Sequence, residues 1–169
     1  MDNFVVTITR SCGSGGSIIA NLLAKQLNIK VYDKELLKLA SDDSGINERL
    51  FAMVDEDTKK SILYKVSKRV YNGELIPPES NDFTSNDNLF NYQAKVLKEL
   101  AKENSYIVIG RGADYVLRDN KNVIKIFVHA NDEECILREM KRLGMERKEA
   151  EEWINKTNIY RGIYYRYHT

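Results

Sequence analysis

The stretch that most limits what this chain can become is Phe4-Val5-Val6-Thr7-Ile8-Thr9-Arg10-Ser11-Cys12-Gly13-Ser14-Gly15-Gly16-Ser17-Ile18-Ile19. A β-branched apolar run stops at a knot of small residues, and apolar residues then resume at helical spacing in Ile18, Ile19, Leu22, Leu23 and Leu27. The pattern predicts strand, glycine-rich turn, helix. Glycines at 13, 15 and 16 leave the main-chain N–H groups of the turn uncovered, and the following helix aims its positive end at the same spot. A phosphate suits such a turn.

Measured against the P-loop pattern G-x-x-x-x-G-K-[ST], the match is partial. With Gly15 as the second glycine, the first falls on Arg10, the lysine on Gly16 and the hydroxyl on Ser17. The chain therefore carries a Walker A-like turn without the lysine, whose ammonium normally follows the transferred phosphoryl group. Arg10 or a more distant arginine could supply the lost charge with a different reach. The structural alternative is a tight turn that binds nothing.

Charge narrows the partners. Lys+Arg 26 against Asp+Glu 25 leaves a net of +1, so no overall field draws the protein to nucleic acid or to an anionic membrane, and any anion affinity is local. The 169 residues fit one domain. Cys12 and Cys135, with no CxxC and no Cys/His cluster, argue against a disulfide framework and a zinc site, and Cys12 reads as a small filler in the turn. No apolar run reaches the roughly 20 residues of a membrane span, and Met1-Asp2-Asn3 leads straight into a strand. The expected location is the cytoplasm.

Along the chain, Ile29 to Tyr32 is a short strand closed by Asp33, and Lys34 to Ala40 a helix that ends before a polar loop, Ser41-Asp42-Asp43-Ser44-Gly45. Asp42 and Asp43 read as a solvated loop rather than metal ligands. Residues 47–70 read as helical pieces with Leu50, Phe51, Val54, Ile62, Leu63, Val66 and Val70 on apolar faces. Residues 71–87, with Pro77-Pro78 inside, read as a long mobile surface loop.

Asn86 then caps a helix bearing Phe90, Ala94, Leu97, Leu100 and Ala101 on one face. Tyr106 to Ile109 is a buried strand that stops at Gly110-Arg111-Gly112, and Val123 to Val128 is read as a second buried strand. A helix capped by Asn131 is expected to bury Ile136, Leu137, Met140 and Leu143 and to show Arg138 and Arg142 on its other side. A last helix, roughly 146–167, ends in Tyr160-Arg161-Gly162-Ile163-Tyr164-Tyr165-Arg166-Tyr167-His168. Strands spaced by helices imply a parallel sheet with ligands beyond the carboxyl ends of its strands, which gathers Arg10 to Ser17, Asp33 and Arg111 along one edge.

With these residues in view, the chain resembles the cytidylate kinase-like family, relatives of the bacterial cytidylate kinases among the P-loop nucleoside monophosphate kinases. The blocks that carry the resemblance are Ile8-Thr9-Arg10 with Gly13-Ser14-Gly15-Gly16, Tyr32-Asp33-Lys34-Glu35-Leu36, Val108 to Leu117, Ile126-Phe127-Val128-His129-Ala130, and Arg161 followed by Tyr164-Tyr165. The resemblance implies a three-layer α/β/α domain of the P-loop nucleoside triphosphate hydrolase type over residues 1–169, with 131–169 contributing a helical lid. It implies a phosphotransferase that uses ATP and Mg2+, passing the γ-phosphoryl group to CMP, dCMP or a similar acceptor.

On that footing Arg10, Gly13, Ser14, Gly15, Gly16 and Ser17 bind the donor phosphates, with Ser17 also touching magnesium. Asp33, Arg111 and Asp114 border the acceptor, and Arg138, Arg142 and Arg161 act on the transferred group. Guanidinium forks suit the task, being permanently charged and able to bind bidentately. His129 and His168 read as structural.

Four departures each remove charge from the expected centre. Gly16 stands in place of the lysine, Ser17 where the family often has arginine, Gly112 where authentic cytidylate kinases have aspartate, and Asn158 at another usual aspartate position. The chain also stops at Thr169, where relatives go on to a further strand and helix. Two other readings stay open: a catalytically degenerate P-loop domain that binds a nucleotide or a protein partner, and a kinase of another small molecule.

Overall fold

The computed structural model of the chain describes residues 3–57 and 73–169. Four strands, β1 (Val5–Arg10), β2 (Lys30–Tyr32), β3 (Tyr106–Ile109) and β4 (Val123–Val128), alternate with seven described helices. These are α1 (Gly16–Leu27), α2 (Glu35–Ser44), α3 (Glu48–Asp57), α4 (Asn86–Glu103), α5 (Ala113–Val116), α6 (Asp132–Leu143) and α7 (Arg147–His168). The sheet is parallel throughout, in the order β2-β3-β1-β4.

Period-two alternation sends the strands' side chains to two separate cores. Val6 and Ile8 of β1, level with Ile107 and Ile109 of β3, pack on Ala20 and Ala24 of α1. Val5, Tyr106 and Val108 face the other way, onto Leu36, Leu37 and Ala40 of α2 and Leu97 and Ala94 of α4. Because both faces are covered, β3 reads as a continuous apolar run and β1 as a β-branched one that buries even Thr7, and Ile8, Ile107 and Val108 are fully buried. Each such side chain contributes roughly 2 kcal/mol.

Several expectations fail for physical reasons. In α1 the face against the sheet is the small one, Gly16, Ala20 and Ala24, while Ile18, Ile19, Leu22 and Leu27 are exposed. The sheet brings its own bulky residues, so small side chains let the helix lie close to it. β4 is an edge strand, with Ile124 54% and Phe127 63% exposed, because only β1 pairs with it among the described strands.

The segment read as a loop at 41–44 is the end of α2, which stops at Gly45 in the left-handed region (φ +72). Ser44 Oγ donates to Ala40 O at 2.7 Å, and Asp43 pairs with Lys95 of α4 at 2.7 Å, so these polar residues are satisfied on a helix. In α6 the buried positions are Cys135, Ile136 and Glu139, whereas Leu137 and Leu143 are exposed.

Residues 73–85 form turns without helix or strand. Buried Asn88 secures them, its Nδ2 donating to Phe83 O (2.7 Å) and Ile76 O (3.1 Å) and its Oδ1 accepting from Ile76 N (2.8 Å). Ser85, not Asn86, caps α4. Of the helical pieces expected over 47–70, Glu48–Asp57 is present with Phe51 fully buried, and Ile62, Leu63, Val66 and Val70 lie outside the described residues.

Candidate functional site

β1 delivers the chain at Arg10 and α1 takes it up at Gly16. Between them Gly13 (φ +76) and Gly15 (φ +84) are left-handed while Ser14 is not. That alternation turns successive amides toward one point, the geometry of an anion-binding nest. Gly15 stands at the N-cap with no side-chain hydrogen bond to the first turn of α1, so no capping oxygen competes with a guest. Ser14 is buried, and its hydroxyl donates to Ser11 O at 2.9 Å, so this side chain closes the turn. Ser11 N donates to Val128 O at 3.0 Å, tying the turn to the end of β4.

The two C-terminal helices close on this turn. A Cβ on Gly13 would stand 2.7 Å from Cys135 O of α6, a distance no side chain tolerates. Arg138 Nη1 donates to Gly13 O, and its Cζ lies 3.6 Å from where a Cβ of Gly15 would be. From α7, Asn158 Oδ1 accepts from Cys12 N at 2.7 Å, and Arg161 Nη1 donates to Arg10 O at 3.3 Å.

Arg10 belongs to the same cluster. Its side chain is 17% exposed, with Nη2 4.0 Å from Asp33 Oδ2. Burial, followed by Arg161, pushes its guanidinium down to about 10; Asp33 opposes this and Arg111 adds to it. Three cations thus share one field at the carboxyl ends of β1 and β3.

The end of β3 has its own conformation. Gly110 (φ +70), Arg111 (φ +62) and Gly112 (φ +61) are left-handed in succession. For Arg111 this costs about 1–2 kcal/mol relative to an ordinary turn, and strain of this kind gathers at functional sites. Asp114, in the first turn of α5, accepts from Tyr165 Oη of α7 at 2.7 Å, while its Oδ1 is buried without a hydrogen-bond partner among the described residues. Burial, and then Asp114, raises the Tyr165 hydroxyl to about 12.

The structure therefore brings Arg10, Gly13 to Gly16, Arg138 and Arg161 together, with Asp33 at their edge. Arg142 also lies within the field of Cys12 in the turn, but its guanidinium is bound to both carboxylate oxygens of the buried Glu139 one turn earlier on α6. Ser17 is exposed in the first turn of α1, and no group of three His, Cys, Asp or Glu residues capable of holding a metal occurs among the described residues. One hydroxyl beside a nest fits a magnesium ion carried in on phosphate oxygens better than a cage of carboxylates would.

Burial raises both thiols, that of Cys12 aided by Glu139, in keeping with filler roles. His168 is buried and stacks on Phe90 with ring centroids 4.0 Å apart.

Two residues that hold the site together, Glu139 and Tyr165, were not among those expected to form it, and Asn158, expected there only as a lost charge, is a hydrogen-bond acceptor for the turn. Asn158 departs from the aspartate the family prefers, and as an amide it can accept from the Cys12 N–H without adding charge. Glu139 lies three residues before Arg142, a spacing that signals an ion pair, but its burial depends on how α6 is rotated.

A nest at the carboxyl end of a parallel sheet, ringed by arginines, defines a class of α/β proteins that handle phosphorylated ligands. Residues 5–169 match the cytidylate kinase-like family, and the chain belongs to that family. Its function is accordingly nucleotide-kinase-like. No curated protein matches the sequence. Among solved structures, an uncharacterized protein from Eubacterium ventriosum is similar in fold, with a TM-score of 0.67 and 23% identity over 99% of this chain and 78% of that one. No described helix is long and apolar enough to cross a membrane.

Proposed function

We propose that the protein is an ATP-dependent nucleoside monophosphate kinase of P-loop type, acting on CMP, dCMP or a similar acceptor. One observation carries the reading: at the Gly13–Gly16 nest Arg138 donates to Gly13 O, and Arg10, whose carbonyl accepts from Arg161, lies against Gly16. Main-chain amides of the nest receive the donor's polyphosphate. Arg138 and Arg161 offset the charge that spreads over the equatorial oxygens of the transferred group.

The reaction breaks the bond between the γ-phosphorus and the β–γ bridging oxygen, which leaves with the electron pair on ADP. A phosphate oxygen of the acceptor forms the new bond. The acceptor phosphate is already ionised, so no side chain need remove a proton, and positioning does most of the work. Ser17 would offer its hydroxyl to a magnesium ion, which when bound would supply charge neutralisation of the donor phosphates.

Arg111 holds the acceptor phosphate, with Asp33 and Asp114 beside it. On this reading residues 1–169 are one domain, and 131–169 act as a lid seated on the turn through Cys135 and Asn158.

The test is turnover of ATP with CMP and dCMP to ADP and the diphosphate. Arg111→Ala and Arg161→Ala should each lower kcat/KM by about 100-fold or more. The pairing of Arg142 with Glu139, and an amide rather than a carboxylate at 158, favour a second reading, a domain that binds nucleotide without chemistry. Calorimetric binding of one nucleotide, with no turnover on any common nucleoside monophosphate, would decide for it.

A further inference from the structure

Position 16, where the P-loop pattern has its lysine, is closed to any side chain. A Cβ there would stand 2.7 Å from Arg10 Cβ, 3.1 Å from Arg10 Cγ and 3.5 Å from Val128 Cβ. The obstacle is the root of the arginine, which cannot swing aside as a flexible tip can. At its far end the same side chain passes close to Gly110, its Nη1 2.6 Å from where a Cβ of that residue would be, although this tip is free to shift as the root is not. Arg10 thus runs from the start of α1, where Gly16 leaves room for its root, to the end of β3, where its tip passes Gly110.

Its tip is 4.0 Å from Asp33 and shares the field of Arg161 and Arg111. A largely buried guanidinium beside like charges, with a carboxylate only at the limit of contact, is stabilised by an anion. We propose that Arg10 replaces the missing lysine, and that its route across the end of β3 lets one guanidinium hold the donor's terminal phosphate and the acceptor's phosphate together. The glycine at 16 is then the condition for that cation, not the loss of one. A fork that meets two phosphates at once selects a phosphorylated acceptor over a neutral alcohol. The acceptor half of this inference rests on the kinase reading, whereas the replacement of lysine by Arg10 does not.

The test uses the full chain with Arg10→Ala, Gly16→Lys, the double variant of Arg10→Gly with Gly16→Lys, and Arg10→Lys. Inorganic tripolyphosphate binding is measured by calorimetry, thermal melting is followed, and kcat and KM are measured with ATP and CMP. Arg10→Ala should fold, bind tripolyphosphate at least 10-fold more weakly, lose about 100-fold in kcat and raise KM for CMP about 10-fold, and Arg10→Lys should restore part of the loss, whereas an unchanged KM for CMP would overturn the acceptor half. Gly16→Lys alone should melt far below the parent. Combining it with Arg10→Gly, which removes both the Cβ and the Cγ that stand in the way, should restore both melting and tripolyphosphate affinity.

If the parent turns over no nucleotide, the kinase reading fails and the tripolyphosphate series still decides the role of Arg10. Tripolyphosphate affinity unchanged in Arg10→Ala, a Gly16→Lys variant as stable as the parent, or a parent that does not bind tripolyphosphate would each overturn the proposal.

Discussion

Two junctions lie side by side at the carboxyl edge of the sheet, and both run from a buried strand through glycines into a helix. After β1, Gly13 and Gly15 empty the turn of side chains, and a 12-residue helix follows whose first amides no cap occupies. After β3, three successive left-handed residues present an arginine between two glycines, and the helix that follows has 4 residues. The first junction offers main chain to a ligand and the second offers a side chain. They teach that a glycine-rich strand end is not one device: what matters is whether the glycines clear the space or set a charged residue in it.

The two junctions should respond differently to the same change. Gly13→Ala combines a left-handed backbone with contact against Cys135 O at 2.7 Å, and should cost about 3 kcal/mol or more. A urea melt would show it, and a loss below about 1 kcal/mol would mean that α6 is not seated on the turn.

Acid should weaken the second junction. Burial lowers His168 from 6.5 to about 4, and the ring stacks on Phe90, itself 3.5 Å from where a Cβ of Gly112 would be. Above pH 6.5 both folded and unfolded forms are neutral. As pH falls from 6.5 toward 4 only the unfolded chain takes up the proton, so stability declines, by on the order of 3 kcal/mol in all. Urea midpoints at pH 7 and 5, compared with those of His168→Phe, isolate the effect; an equal decline in both would remove His168 from the account.

A smaller change separates strain from function. Arg111→Gly relaxes a left-handed non-glycine residue, so the melting temperature should not fall, while kcat/KM with CMP drops about 100-fold. Lost stability without lost turnover would place Arg111 in the scaffold. Smallest of all is Gly112→Ala, where the nearest neighbour is the Phe90 ring at 3.5 Å. Only the backbone term remains, about 1 kcal/mol, and its contrast with Gly13→Ala measures how tightly each turn is covered.

Much of this architecture follows from local pattern. A β-branched run identified β1 and a continuous apolar run β3, and the spacing of strands and helices led to a parallel sheet with Arg10, Asp33 and Arg111 along one edge. Asn131 capped α6 as its side chain and position require. These features depend on a residue and its near neighbours, whose physics travels with the sequence.

The remainder depended on what lay opposite. Which stripe of α1 is buried was decided by the sheet beneath it, which had room for Ala20 and Ala24 and none for Ile18 or Leu22. The exposure of β4 depends on its having one neighbour, and the pairing of Arg142 with Glu139 on how α6 is rotated against its surroundings. Sequence alone determined that position 16 is a glycine and position 10 an arginine. Only tertiary packing made them one feature, because the contact between them joins the last residue of a strand to the first of a helix across a turn whose shape neither residue specifies.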